Sequence, residues 1–313
     1  MSADAANPEG YFEVRAIADL NDRILAHLRS RWDAPPELAP GWERDPAMDP
    51  WVQRARIARK EGLPAEGWLL KDPRVTLLLP LWRRVVLDRC VAVLVVRDPT
   101  AVAWSVTLRD GLPTTTGLAL WATYNRAALE GLTGLPVYVC DYDRLVADPA
   151  KNMAELVSAL VSWGEASPSS DVLARATDAV RPHLNRSTWR RDVPEVSLRP
   201  EEVEAVAEQL GSLAGRHDVF TPSPPLSVPW QQALLTERRV WMAEVRDLKA
   251  QSDAMQRQLS RLERTLGDSQ AAFTAEKNAR KEAEGALRWT RSRLARLEHH
   301  RSIRLLRALR RLG

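Results

Sequence analysis

"VLVVRDPTAVAWS" (residues 93–105) is the stretch whose reading decides the fold. Four apolar residues, three of them valine, lead into Arg97. Asp98 and Pro99 follow, then residues that can coil, with Ser105 eight positions past the arginine. A valine-rich apolar run of this length reads as a buried strand. Proline suits the first turn of a helix, where its missing N–H costs nothing, so a helix is expected to start near Pro99. Arg97 then stands at the carboxyl end of a strand and projects into the crevice above a sheet, near a helix N-terminus. A guanidinium, a helix N-terminus and a hydroxyl two turns along suit a large anion carrying phosphate. The other reading of the same residues is a local pair between Arg97 and Asp98 or Asp141.

Working outward, two further short runs read as strands, "GWLLK" (residues 67–71) and "PVYVC" (residues 136–140), beside "CVAVLVV" (residues 90–96). The runs at 90–96 and 136–140 are expected to be central parallel strands covered on both faces. Helical stretches separate them: "RVTLLLPLWRRVVLD", "TAVAWSVTLRD", "TTTGLALWATYNRAALEGL" and, past the last strand, "MAELVSALVSWG". Alternating strand and helix predicts an α/β fold, a parallel sheet flanked by helices. Ligands in such sheets sit at the carboxyl ends of the strands, where Lys71, Arg97 and Asp141 stand.

After residue 167 the chain is rich in Ser, Pro and Arg, with one capped helix in "SLRPEEVEAVAEQLGSLAG". "TPSPPLSVP" has four prolines in nine residues and reads as a stiff linker. This divides the chain into an α/β domain (1–220), a linker (221–229), a coiled coil (230–298) and a basic amphipathic tail (299–313). Over 245–297 apolar residues fall on a seven-residue beat through Leu259, Leu266 and Leu287 on one seam and Leu248, Leu262 and Leu297 on the other. That beat predicts a long C-terminal coiled-coil helix that self-associates, or a single long helix folded back on the domain. The middle of the seam, 269–280, is polar and is expected to be weaker. In "HHRSIRLLRALRRLG", Ile303, Leu306 and Leu309 share a helix face among five arginines. This segment reads either as a binder of anionic membrane surfaces or as a solvated helix end whose cations suit the dipole.

Bulk composition narrows the function classes. A chain of 313 residues can hold a good-sized domain with an extension, or two domains. The net charge of +4 does not suggest bulk binding of nucleic acid. Cys90 and Cys140 lie in apolar runs and read as buried strand thiols, with no spacing that suggests a metal. "MSADAANPEGYFE" has no basic region followed by an apolar core, so no signal peptide is expected. No apolar run approaches the roughly 20 residues that span a bilayer. A reducing cytoplasmic location is the expectation, with the tail able to hold the chain at the inner membrane face.

"RDPTAVAWS" resembles the 3′-phosphate-binding segment of sulfotransferases that use 3′-phosphoadenosine 5′-phosphosulfate (PAPS), in which an arginine after a strand and a serine eight positions later hold the 3′-phosphate. "NPEGYFE", "LNDRIL", "LLKDPRVTLLLPLWRR", "GLALWATYNRAAL" and "VYVCDYDRLVADP" resemble other stretches of bacterial members, in the same order. The resemblance covers about residues 7–163. It implies a P-loop-like, nucleotide-kinase-like sheet and transfer of a sulfuryl group from PAPS to a hydroxyl or amine of a carbohydrate, lipid or small metabolite, without a metal. The family's opening strand and its 5′-phosphosulfate loop have no counterpart ahead of "NPEGYFE", and no GxxxxGK[ST] stretch stands elsewhere. The implied fold is therefore N-terminally incomplete. The rival expectation is a non-catalytic remnant that acts as a coiled-coil scaffold or membrane-surface tether.

The resemblance gives roles to named residues. Arg97 and Ser105 would hold the 3′-phosphate, with Arg186 and Arg190 in a late basic loop over the nucleotide. Lys71 would neutralise charge on the bridging oxygen as the sulfuryl group leaves, or else pair with Asp72. Glu13 would take the acceptor's proton, or else serve as a helix-start carboxylate. Arg74 would hold anionic groups or pair with Asp72.

Overall fold

The computed structural model describes residues 12–86, 90–167, 169–180, 201–224, 229–268 and 273–309, in two units, Met1–Leu235 and Thr236–Gly313. The elements, in chain order, begin with α1 (Arg15–His27), α2 (Asp49–Gly62), α3 (Pro73–Val85), β1 (Ala92–Val96), α4 (Pro99–Asp110), α5 (Thr114–Leu132) and β2 (Val137–Asp141). They continue with α6 (Tyr142–Ala147), α7 (Pro149–Ser162), α8 (Ser170–Ala179), α9 (Glu201–Ser212), β3 (Gly215–His217), α10 (Pro229–Asp268) and α11 (Phe273–Leu309).

The stretch at 93–105 folds as its residue types dictate. The valines form β1, and the chain turns into α4 across Arg97 and Asp98. The Asp98 carboxylate accepts from the Ala101 N–H at 2.9 Å, and Pro99 takes the first turn. Gly111, at φ 67°, ends α4 in the left-handed region that glycine enters without strain. α5 then packs closely on α4. A Cβ added at Gly117 would stand 2.7 Å from Ala103 Cα, so only glycine permits this approach. Beyond α5 the chain re-enters the sheet as β2, parallel to β1, with Ala92 opposite Val137 and Val96 opposite Asp141. Pro136 lacks an N–H, yet its carbonyl still accepts from Ala92 at 3.0 Å.

The fold is α/β and mostly helical, with the sheet order β1-β2-β3. Three expectations need correction. The sheet is mixed rather than parallel, because "GRH" forms β3 antiparallel to β2. Three residues with one glycine carry no periodic signal, so this strand was not legible. "GWLLK" is not a strand. Gly67 has φ 62°, Leu69 is 80% exposed, and the segment runs unpaired into the start of α3. Burial on both faces holds for β2 but not for β1. Val137 and Val139 pack with α4, α5 and α9, while Tyr138 and Cys140 pack with Ala159 and Trp163. β1 lies at the sheet's edge, with Val93 and Val95 exposed on one face.

A second core joins α1, α2 and α3 through Ile17, Ile24, Val52, Leu78, Leu81 and Trp82, all nearly or fully buried. Each large aliphatic side chain so buried contributes roughly 1.5–3 kcal/mol. This core holds the start of α3 against α1.

In the second unit the expected single helix is two helices, α10 ending at Asp268 and α11 starting at Phe273. Side chains here are described up to residue 261 and from 279 to 297. Leu259 packs with Ala283 and Leu287, and the Thr290 hydroxyl lies 3.7 Å from Met255 Sδ. Rising numbers on α10 meet falling numbers on α11, so the pair is antiparallel. Among the described side chains, the seam positions Met255, Leu259, Ala283 and Leu287 meet one another within one chain. The division falls at the edge of the polar 269–280 stretch, where a seam has least to gain from continuing. The tail's side chains lie outside the described residues; its backbone continues α11 to Leu309. Among the described residues, no helix is long and apolar enough to cross a membrane.

Candidate functional site

Two groups of side chains stand where the sequence directs attention. The first gathers at the head of α3. Asp72 caps this helix, accepting from the Arg74 N–H at 2.9 Å, and Pro73 takes the first turn. The Asp72 side chain is almost wholly buried and meets Arg74 Nη1 at 2.8 Å. Its other oxygen accepts from Asn21 Nδ2 at 2.8 Å, and Asn21 Oδ1 accepts from the Trp82 indole at 2.9 Å. Both Asn21 and Trp82 are buried, so this is a satisfied polar chain set inside an apolar core.

Arg74 carries the chain outward. Its Nε lies 2.7 Å from Asp22 and its Nη1 3.6 Å from Glu13. Glu13 in turn meets Lys71 Nζ at 3.1 Å. Lys71 and Glu13, 58 residues apart in sequence, are thus in direct contact. The Glu13 side chain is 6% exposed, whereas that of Lys71 is 48% exposed. Phe12, immediately before Glu13, has φ 54°, a left-handed backbone that a bulky residue rarely adopts. Burial works to lower the proton affinity of Arg74, but Asp72, Asp22 and Glu13 outweigh it and raise its pKa above the ordinary value. At Asp22 burial wins over the neighbouring Arg74 and pushes the carboxyl up. Of the two readings of Arg74, the pairing with Asp72 is the one realised, with Asp22 and Glu13 added.

The second group lies at the carboxyl ends of β1 and β2, around a cavity of about 250 Å³. Arg97 lines it, and its guanidinium stacks on the Tyr142 ring at 4.6 Å. The Arg97 carbonyl accepts from the Trp121 indole at 3.0 Å, which fixes the backbone at the strand end. The other charged residues of the lining are acidic: Asp98, Asp141, Asp143, Glu204 and Glu208. Asp98 and Asp141 cap α4 and α6, Asp141 accepting from the Arg144 N–H at 3.0 Å. Glu204 and Glu208, one turn apart on α9, bring negative charge from a region with no strand or motif signal. Their i, i+4 spacing was the available clue.

Ser105 is exposed on α4 and is not among the lining residues. It lies on the helix face away from buried Ala103, about 200° around. Lys71 and Glu13 do not line this cavity either. Arg186 and Arg190 lie outside the described residues. Among those described, no group of His, Cys, Asp and Glu is arranged to hold a metal ion. Burial raises both cysteine thiols above their ordinary value, Asp141 adding to the effect at Cys140; Cys140 is the buried strand thiol expected, whereas Cys90 is half-buried and precedes β1. No protein-family model, curated protein or solved structure matches this chain.

Proposed function

We propose that the chain is a sulfotransferase-like protein that binds PAPS and transfers its sulfuryl group to a hydroxyl or amine of a carbohydrate, lipid or small metabolite. The observation that carries this reading is the meeting of Lys71 and Glu13 at 3.1 Å across 58 residues of sequence, each from a stretch that resembles the family. In the proposed reaction the acceptor oxygen or nitrogen attacks sulfur and the bond from sulfur to the bridging oxygen breaks. Glu13 takes the acceptor's proton, and the Lys71 ammonium offsets charge on the departing oxygen. Substrate entry must separate the two, which is feasible because Lys71 is the exposed partner. Arg97 would hold the 3′-phosphate of the nucleotide, and Tyr142 and Trp121 would keep the arginine's position. Ser105, Arg186 and Arg190 belong to the same proposal.

The test is transfer of labelled sulfate from PAPS to a panel of sugars, lipids and amines. Lys71→Ala should lower turnover more than donor binding, since its contact strengthens as the bond breaks. Loss of binding and turnover in equal measure would place Lys71 in ground-state recognition instead.

One observation favours a second reading. Five acids and one arginine around the cavity make a poor receptor for a doubly charged phosphate. On this reading the chain is a non-catalytic relative that serves as a scaffold, self-associating through α10 and α11. Absent PAPS binding together with a dimer mass in sedimentation equilibrium supports it; a monomer mass excludes that self-association.

A further inference from the structure

Apart from the nucleotide reading, one stretch of the second unit is rich in exposed arginine. Over residues 285–297, α11 carries Arg288, Arg291, Arg293 and Arg296 and no acidic residue, and all four arginines are exposed. Residues advance about 100° each around a helix. Ala283, Leu287 and Thr290 are buried, which turns that side toward α10. Arg288 and Arg296 fall on the opposite arc, with Arg291 and Arg293 on its two flanks. Trp289, 51% exposed, lies between Arg296 and Arg293 on the same arc, and the Arg293 guanidinium sits 5.0 Å over its ring. An indole half in water beside a guanidinium forms an apolar body with a cationic rim.

We infer that this outer face of α11 docks on an anionic lipid bilayer, with Trp289 as its interfacial anchor. Four exposed arginines between Glu284 and Glu298 leave a net positive face that matches the negative surface potential of such a membrane. An exposed tryptophan flanked by arginines suits the headgroup boundary, where the ring is buried and the cations reach lipid phosphates. The sequence of the same helix continues with Ile303, Leu306 and Leu309 at a spacing of three. An aliphatic row suits acyl chains and offers nothing to a nucleic-acid backbone. The membrane site therefore begins well before the basic tail, within the hairpin itself, and the seam that closes the hairpin is what orients the arginines outward.

The experiment uses the full chain in flotation with phosphatidylcholine vesicles and with vesicles holding roughly 30% phosphatidylserine, a content that gives a negative surface potential. Wild type should float with the anionic vesicles only and be released near 1 M salt, where the Debye length is about 3 Å. Replacing Arg288, Arg291, Arg293 and Arg296 together by Gln leaves the tail intact. It should weaken binding roughly 10²–10³-fold, at about one kcal/mol per arginine near the surface. All four are exposed, so circular dichroism should be unchanged. Trp289→Ser should weaken binding while keeping its salt sensitivity. Three results would overturn the proposal: undiminished flotation of the fourfold variant, equal flotation with neutral vesicles, or displacement from anionic vesicles by an RNA of matched phosphate concentration.

Discussion

Asp72→Ala should be among the most damaging single changes in the first unit. It removes three interactions at once: the cap on α3, the Arg74 pair at 2.8 Å and the bond from Asn21 at 2.8 Å. A lost cap costs about 1 kcal/mol. Hydrogen bonds to a charged group are worth roughly 1.5–3 kcal/mol each. Arg74 retains Asp22 and Glu13, which offsets part of the sum, but Asn21 is left buried with an unmet donor. Breaking a buried pair from one side typically costs about 3–5 kcal/mol, and that is the expected total. With a urea dependence of about 2 kcal/mol per molar, the midpoint should fall by roughly 2 M. Ten of the twelve tryptophans lie in Met1–Leu235, so intrinsic fluorescence follows the unit that matters. Lys71→Ala is the control: with this side chain 48% exposed, its pair contributes no more than about 1 kcal/mol. Asp72→Asn, which keeps a capping oxygen, should fall between the two. An Asp72→Ala cost equal to that of Lys71→Ala would refute the network as the anchor of α3.

Gly117→Ala should destabilise the same unit by about 1–3 kcal/mol, because its methyl group would press on the Ala103 backbone; an unchanged urea midpoint would contradict the close packing of α4 on α5. Asp22 has a raised folded-state pKa, so its penalty is fully present above that value and fades as pH falls through it toward 3.8. The stability of wild type relative to Asp22→Asn should therefore improve between pH 7 and pH 4, and a trend of the opposite sign refutes the assignment. Leu259→Asp places a charge against Ala283 and Leu287 and should remove much of the helical ellipticity of α10 and α11; unchanged ellipticity would refute the antiparallel hairpin.

What the sequence made legible follows from how local each signal is. The valine run, Pro99 and Gly111 are enough to place β1 and α4, because strand, helix start and helix stop depend on near neighbours. The seven-residue beat through Leu259 and Leu287 was equally readable as a seam. Its partner was not, since one periodicity serves a second chain and a folded-back helix alike. "GWLLK" has a strand's composition, but a strand also needs a neighbour to pair with, and none of the described strands pairs with it. At the candidate site, Lys71 and Glu13 were legible through resemblance. The Asn21–Asp72–Trp82 chain that supports them was not, because an asparagine within an apolar helical face carries no mark of what it will bond. The acids of α9 around Arg97 were hidden for the same reason: their effect arises only when a distant helix closes over the strand ends.

The nucleotide reading stands or falls on Arg97. Calorimetric titration of wild type and Arg97→Ala with adenosine 3′,5′-bisphosphate and with adenosine 5′-phosphate tests it directly. A charge-assisted contact worth roughly 1.5–3 kcal/mol corresponds to a tenfold to hundredfold change in affinity. Wild type should prefer the bisphosphate by about that factor, and Arg97→Ala should erase the preference. Equal affinity for the two nucleotides, binding unchanged by loss of the arginine, or no binding of the bisphosphate at all would contradict the account.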